Sequence, residues 1–324
     1  MDVAGIGVPY FDQVLSIDKL PITDSHAHTL EASWQYGGKV PTALVAVARL
    51  GYKASIHANV GGIFGRCIRL DFERHGIDCS QLKDVPGTNS AVCICLAEKS
   101  TGGRSFLGIP HPAGVPALTV QDLNKKALLE AKWLLISDLD EASAQAARWF
   151  KEAGKPVVID ADYMNTVDNL ELVDHFIASE YTYKALTDGS DRYEENLAKI
   201  RERQKNPRAV IVVTLGANGA AGIDNGGNYF RIPAYKVEVV DTTGAGDVFH
   251  GAYIAGCLEG MDTTSACRYA SAASAVNCTK LGGRAAIPTR EQLKIFMDTG
   301  QYDFPEFKER ADYYRVPPFE RVGL

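Results

Sequence analysis

Residues 244–247 read Gly-Ala-Gly-Asp, and an apolar helix is expected to follow over residues 248–258. The first N–H groups of a helix have no partner within it, and the helix dipole favours negative charge there. Glycines in the turn before such a helix let the backbone come close to a phosphate. The N–H groups of Gly244, Ala245 and Gly246 are therefore expected to stabilise charge on a transferred phosphoryl group. Asp247 is the informative residue. A carboxylate beside an anion cradle repels a resting phosphate, so its presence requires a task. The natural one is to take the proton from a hydroxyl that attacks phosphorus. The plain alternative is an acid that merely complements the helix dipole. That is worth about 0.3–1 kcal/mol and leaves the glycines unexplained.

Other segments join this one in a fixed order: Gly7 with Asp12, Gly37-Gly38-Lys39, Ala48-Arg49-Leu50-Gly51, Thr214-Leu215-Gly216-Ala217-Asn218-Gly219, and Asp241-Thr242-Thr243 ahead of the glycine turn. Together they resemble the motifs of the ribokinase, or PfkB, family of sugar kinases over roughly residues 1–290. Residues 240–252 and 278–288 look most like sulfofructose kinases and other ketohexose kinases. The resemblance implies ATP-dependent phosphorylation of a primary hydroxyl of a ketose or related carbohydrate, with Asp247 as general base. It implies sugar contacts from Asp12, Gly37, Gly38, Lys39 and Thr42, and nucleotide support from Thr214, Gly216, Gly219 and Thr242. Asn277 reads equally well as an edge of the adenine pocket and as a capped polar residue near the end of its helix. Arg104 reads equally well as a substrate contact and as a solvated strand arginine. Mg²⁺ would accompany ATP, and a K⁺ site near Ala285-Ala286 belongs to the same resemblance.

The chain departs from the family pattern in places. Thr42 stands where an asparagine is common, and Gly62 where an aspartate usually follows the glycine. The stretch matching the family's Asn-x-x-Glu reads Ser179-Glu180-Tyr181-Thr182, which leaves Glu180 as the candidate metal contact. Basic residues for a sulfonate are not evident. His26 and His28, read as alternating on a lid strand, lie near one expected position, and Asp138-Leu139-Asp140 near the other. Two rival readings stay open: a nucleoside kinase whose base slot is built by Tyr10, Phe11 and Trp34, and a degenerate kinase acting as a ligand-binding regulator. No Gly-x-Gly-x-x-Gly follows the first strand, so a nicotinamide-dependent oxidoreductase has no support.

The elements that must position these residues read as strands alternating with helices. That is the pattern of a doubly wound α/β fold, with a mostly parallel sheet covered by helices on both faces. Strands are expected over residues 3–8, 54–60, 133–137, 156–160, 209–215 and 237–240, with a hairpin at Asn225-Gly226-Gly227. Helices are expected over residues 42–50, 67–75, 141–153, 192–204 and 264–280. Residues 15–36 and 89–107 break the alternation and read as a small antiparallel β lid, with turns at Ile22-Thr23-Asp24 and Ser100-Thr101-Gly102-Gly103. The α/β domain would comprise residues 1–14, 37–88 and 108–300. In the family this lid covers the sugar and often forms a dimer surface, so a homodimer through it is expected. Residues 301–324 form a C-terminal extension with no assigned role.

Composition excludes some classes. The 324 residues are 46% hydrophobic with a net charge of −6 and no basic block, which argues against nucleic-acid binding. No apolar run approaches the about 20 residues that span a bilayer. Seven scattered cysteines without a Cys-x-x-Cys pair suit reduced thiols and a cytoplasmic location.

Overall fold

The computed structural model describes residues 1–101, 103–162 and 170–323. In the first half the chain runs β1 (Val3–Ile6), β2 (Tyr10–Ile17), β3 (Thr29–Gly37), α1 (Lys39–Arg49), β4 (Ala54–Val60), α2 (Gly62–Arg74), β5 (Asp78–Asp84), β6 (Ala91–Glu98), β7 (Arg104–Ile109), α3 (Lys125–Leu129), β8 (Trp133–Ile136), α4 (Glu141–Glu152) and β9 (Val157–Asp160). It continues with β10 (His175–Ser179), α5 (Glu180–Leu186), α6 (Tyr193–Arg203), β11 (Val210–Thr214), β12 (Ala220–Ile223), β13 (Tyr229–Ile232), α7 (Ala245–Leu258), α8 (Thr263–Asn277), α9 (Arg290–Thr299) and α10 (Pro305–Arg315).

Nine strands form the main sheet in the order β13-β12-β11-β10-β9-β8-β1-β4-β5. It is parallel from β5 to β11 and closes with the antiparallel β11-β12-β13 hairpins. The central strands are buried on both faces, as near-continuous apolar runs require. One core packs α1, α2, α7, α8 and α9 against one face of the sheet, and a second packs α4 and α6 against the other. This is the expected doubly wound architecture.

The lid is a separate four-stranded sheet in the order β3-β2-β6-β7. Two antiparallel pairs, β2/β3 and β6/β7, are joined by a parallel β2/β6 pairing. The sheet begins at Tyr10, so Asp12 lies on a lid strand and not just beyond the first core strand. His26 and His28 fall in the β2–β3 loop and do not alternate on a strand. Gly102 of the expected 100–103 turn is outside the described residues.

One further expectation is corrected. Residues 237–240 alternate like a strand but pair with none, and Val239 and Val240 stay 56% and 55% exposed. The backbone at Val240 instead donates to Cys278 O at 2.8 Å. The C-terminal extension packs back onto the fold. Helix α10 packs on β3, and Phe319 joins Phe11, Trp34 and Phe64 in a ring cluster with centroids 5.6–6.3 Å from Phe319. All seven cysteines are free thiols. No helix among the described residues is long and apolar enough to cross a membrane.

Candidate active site

The C-terminal ends of the parallel strands open, beneath the lid, into a cleft of about 1970 Å³. Such edges are where open α/β sheets bind ligands. Asp12, Gly37, Gly38, Lys39, Thr42 and Arg104 line it, as do Glu180, Thr214, Gly216, Gly219, Thr242 and the 244–247 turn. Of the residues singled out in the sequence as site residues, Asn277 alone is absent from its wall.

The turn leaves the N-terminus of α7 open to the cleft. Gly244 takes φ +72°, a left-handed conformation that glycine adopts readily, and a Cβ there would lie 2.8 Å from Gly283 Cα. The N-termini of α4, α8 and α9 are capped by the side chains of Asp140, Asp262 and Thr289. Helix α7 has no side-chain cap. The Ala245 N–H donates to Thr242 O at 3.2 Å, so it is turned inward and not toward a ligand. Among the described residues, the N–H groups of Gly244, Gly246 and Asp247 keep no protein acceptor. A Cβ on Gly246 would meet nothing within 4 Å, which marks the open side of the cradle.

Asp241 organises this turn. Its carboxylate accepts from Thr243 N at 2.9 Å, Thr243 Oγ1 at 2.8 Å and Gly282 N at 2.8 Å. Asn277 is fully buried behind the turn and donates to Thr243 O at 3.2 Å, so it supports the loop instead of edging a nucleotide pocket. Arg104 reaches from the lid to hydrogen-bond Thr242 Oγ1.

Asp247 stands beside Lys39, which was expected at the site, and beside two acids and a histidine that were not. Asp160 ends β9, and Asp162 follows it and accepts from Ser179 N at 2.8 Å. Lys39 Nζ lies 3.8 Å from Asp160 Oδ1 and donates to Asp162 O at 2.9 Å. His250 is buried one turn into α7. Its Nδ1 sits 2.7 Å from Gly246 O and 3.5 Å from Asp160, and its Nε2 lies 3.3 Å from Ile177 O. It thereby ties the cradle to the strand ends. Burial, and then the charges of Asp160 and Asp162, push the Asp247 carboxyl well above the usual carboxylate range, while Lys39 and Arg104 oppose them. Two acids at the end of a buried strand were the available signal for this cluster.

At the other end of the cleft, Asp12 packs against Gly37, where a Cβ would come within 2.0 Å of Oδ2. Burial raises the Asp12 carboxyl to about 6, against the pull of the Arg284 charge. Gly38 takes φ +94° and leads into α1, which presents Lys39. Thr42 is buried, with its methyl beside Gly244. Phe11 and Trp34 face the aromatic core, so of the three residues considered for a base slot Tyr10 alone lines the cleft. Gly219, at φ +84°, leaves no room for a side chain because a Cβ would lie 2.0 Å from Ile232 O, while Gly216 faces open space.

Glu180 begins α5 and pairs with Lys184 at 2.7 Å. No group of three or more metal-ligating side chains occurs among the described residues. The Ala285 carbonyl, near the expected K⁺ position, accepts from Arg310 Nε at 3.0 Å.

The model of the pfkB family carbohydrate kinases matches residues 8–290. The aminoimidazole riboside kinase of Salmonella typhimurium is 29% identical, covering 81% of this chain and 88% of its own length. The ATP-dependent ribose-1-phosphate kinase of Halopiger xanaduensis is 28% identical over 91% of this chain and 97% of its own. The crystal structure of ribokinase from Thermotoga maritima shares the fold, with a TM-score of 0.77 over 92% of this chain and 100% of that one at 23% identity. An open N–H cradle with a carboxylate at its exit, set on this fold and matched over most of its length, places the chain in the pfkB family of carbohydrate kinases.

Proposed function

We propose that this carbohydrate kinase transfers the terminal phosphoryl group of ATP to a primary hydroxyl of a ketose or related sugar, with Asp247 as general base. The observation that carries this reading is a raised carboxyl at the exit of an uncapped helix N-terminus, facing a cleft that also holds Asp12. A base whose proton affinity exceeds that of an ordinary carboxylate is better matched to a weakly acidic hydroxyl. The free N–H groups of Gly244, Gly246 and Asp247 are aimed where charge grows on the transferred group. The 214–219 loop supports the nucleotide. Lys39 and Arg104 balance the acids around the phosphates, and the lid excludes water.

Mg²⁺ bound with the nucleotide neutralises phosphate charge during transfer. Asp162 and Glu180, which line the cleft, suit it as oxygen donors through water, since hard cations take carboxylates and usually keep several waters, while Asp160 lies buried behind them.

Asp12 accepts two sugar hydroxyls when ionised. Asp138 and Asp140 add further acid to the cleft wall, which favours a neutral sugar over a sulfonated or phosphorylated one. Protonation removes acceptor capacity at Asp12, so the sugar KM is expected to rise as pH falls through 6, by up to about tenfold per pH unit. In Asp12→Asn the KM should be high and flat over the same range. Initial rates at saturating MgATP check this, and an unchanged pH profile in the variant removes Asp12 from the sugar site.

Phosphate transfer from MgATP to a panel of ketoses, aldoses, sugar phosphates, sulfosugars and nucleosides tests the reading as a whole. A neutral ketose should give the highest kcat/KM. Faster turnover of any nucleoside would put the rival kinase in its place, and no turnover at all would favour the regulator. Leu30 and Leu107 of the lid are 53% and 52% exposed, which supports a homodimer through this sheet. All thiols being free suits the cytoplasm.

A further inference from the structure

Arg310 lies on α10, beyond the last residue matched by the family, yet it is only 5% exposed. Its Nε donates to Ala285 O at 3.0 Å, and its Nη2 donates to Arg284 O at 2.5 Å. Two successive carbonyls thus converge on one cation. His75 faces the same guanidinium, with Nε2 3.1 Å from Nη2 and Nδ1 2.7 Å from Asp71 O. This arrangement requires a neutral ring that donates from Nδ1 and accepts at Nε2. Burial drives the His75 pKa down to about 4, in accord with that tautomer.

The loop that carries these carbonyls also forms the back of the anion cradle. Gly282 N donates to Asp241 Oδ2 at 2.8 Å, and Gly283 fills the space a Gly244 side chain would need. Carbonyl dipoles pointing at a common centre repel one another when the cation is absent. The loop would then relax, and the Asp241–Gly282 and Gly283–Gly244 contacts would loosen with it. We propose that Arg310 is a positioning residue for phosphoryl transfer, a cation supplied by the C-terminal helix that holds loop 282–285 and, through it, the Gly244–Asp247 cradle. This rests on the reading of that turn as the phosphoryl cradle.

Arg310→Ala, assayed with whichever sugar the wild-type chain phosphorylates, tests it. Loss of a buried charge-assisted contact predicts a fall in kcat of about tenfold or more. The sugar KM should change less than kcat, because Arg310 bonds no sugar-contact residue directly and reaches Gly37 and Asp12 only through Arg284. Guanidinium ions at non-denaturing concentration should restore much of the lost kcat. A folded variant with wild-type kcat overturns the proposal, and so does a fall in kcat that guanidinium leaves unchanged. Should Arg310→Ala not fold, Arg310→Lys decides. An ammonium cannot satisfy both carbonyls in the guanidinium geometry, so kcat should fall by more than the sugar KM changes, and wild-type kcat counts against the role. Failure of the cradle reading itself is separate, since it would show as near-normal turnover in Asp247→Asn while Arg310 variants behave in any way at all.

Discussion

Asp247→Asn should lower turnover by at least about 10²-fold while leaving MgATP binding in place. The amide keeps the size of the side chain but cannot take a proton. Binding should hold or tighten slightly, because the substitution removes a negative charge beside the phosphates from a site already crowded by Asp160 and Asp162. Single-turnover kinetics and nucleotide titration separate the two quantities. The pH profile gives a second readout. Burial and two neighbouring acids raise the carboxyl, so wild-type kcat should fall on acidification with a midpoint above that of an ordinary carboxylate. That midpoint belongs to the coupled cluster and not to one residue. Turnover within a few-fold of wild type in the amide variant would sink the role given to this residue.

The cradle was legible because its chemistry is local in sequence. Four consecutive residues supply the turn, the donors and the acid, and no distant contact is needed to recognise them. Helix and strand periodicity likewise located β4, α4 and the β12–β13 hairpin closely, since their caps and apolar runs are local signals. What was not legible depended on pairing. Strand β5 is a charged edge strand, Asp78–Asp84, and carries no apolar alternation to betray it. Residues 237–240 alternate correctly but find no partner strand. The Asp160/Asp162 pair becomes part of the site only because parallel strands place the ends of β9 and β10 beside α7. Phe11 and Asp12 are neighbours in sequence, yet the pleat of β2 turns one into the aromatic core and the other into the cleft.

The C-terminal helix shows the same dependence most sharply, and it carries the second large effect. Arg284 and Asp71 are both 0–1% exposed and bonded at 2.5 Å, far from each other in sequence. Tyr314 of α10 donates to the second Asp71 oxygen at 2.9 Å. Burial alone would raise the Asp71 carboxyl. The charge of Arg284, with hydrogen bonds from Arg284 and Tyr314, outweighs it and holds the group below its usual value, and His75 adds its charge only where it is protonated, near pH 4 and below. Its contribution to stability is therefore present above the unfolded carboxylate pKa and is lost as pH falls through the lower folded value, so neutral solution sees all of it. Arg284→Met should strand a buried carboxylate and destabilise the fold by about 3–5 kcal/mol. In a domain of 324 residues that lowers the melting temperature by about 4–7 °C. Asp71→Asn/Arg284→Met should cost less than the sum of the two single changes, because the second substitution removes the charge that the first left unpaired. Thermal and urea unfolding of the four proteins measure this directly. Strict additivity would mean that each member of the pair is held by its surroundings and not by its partner.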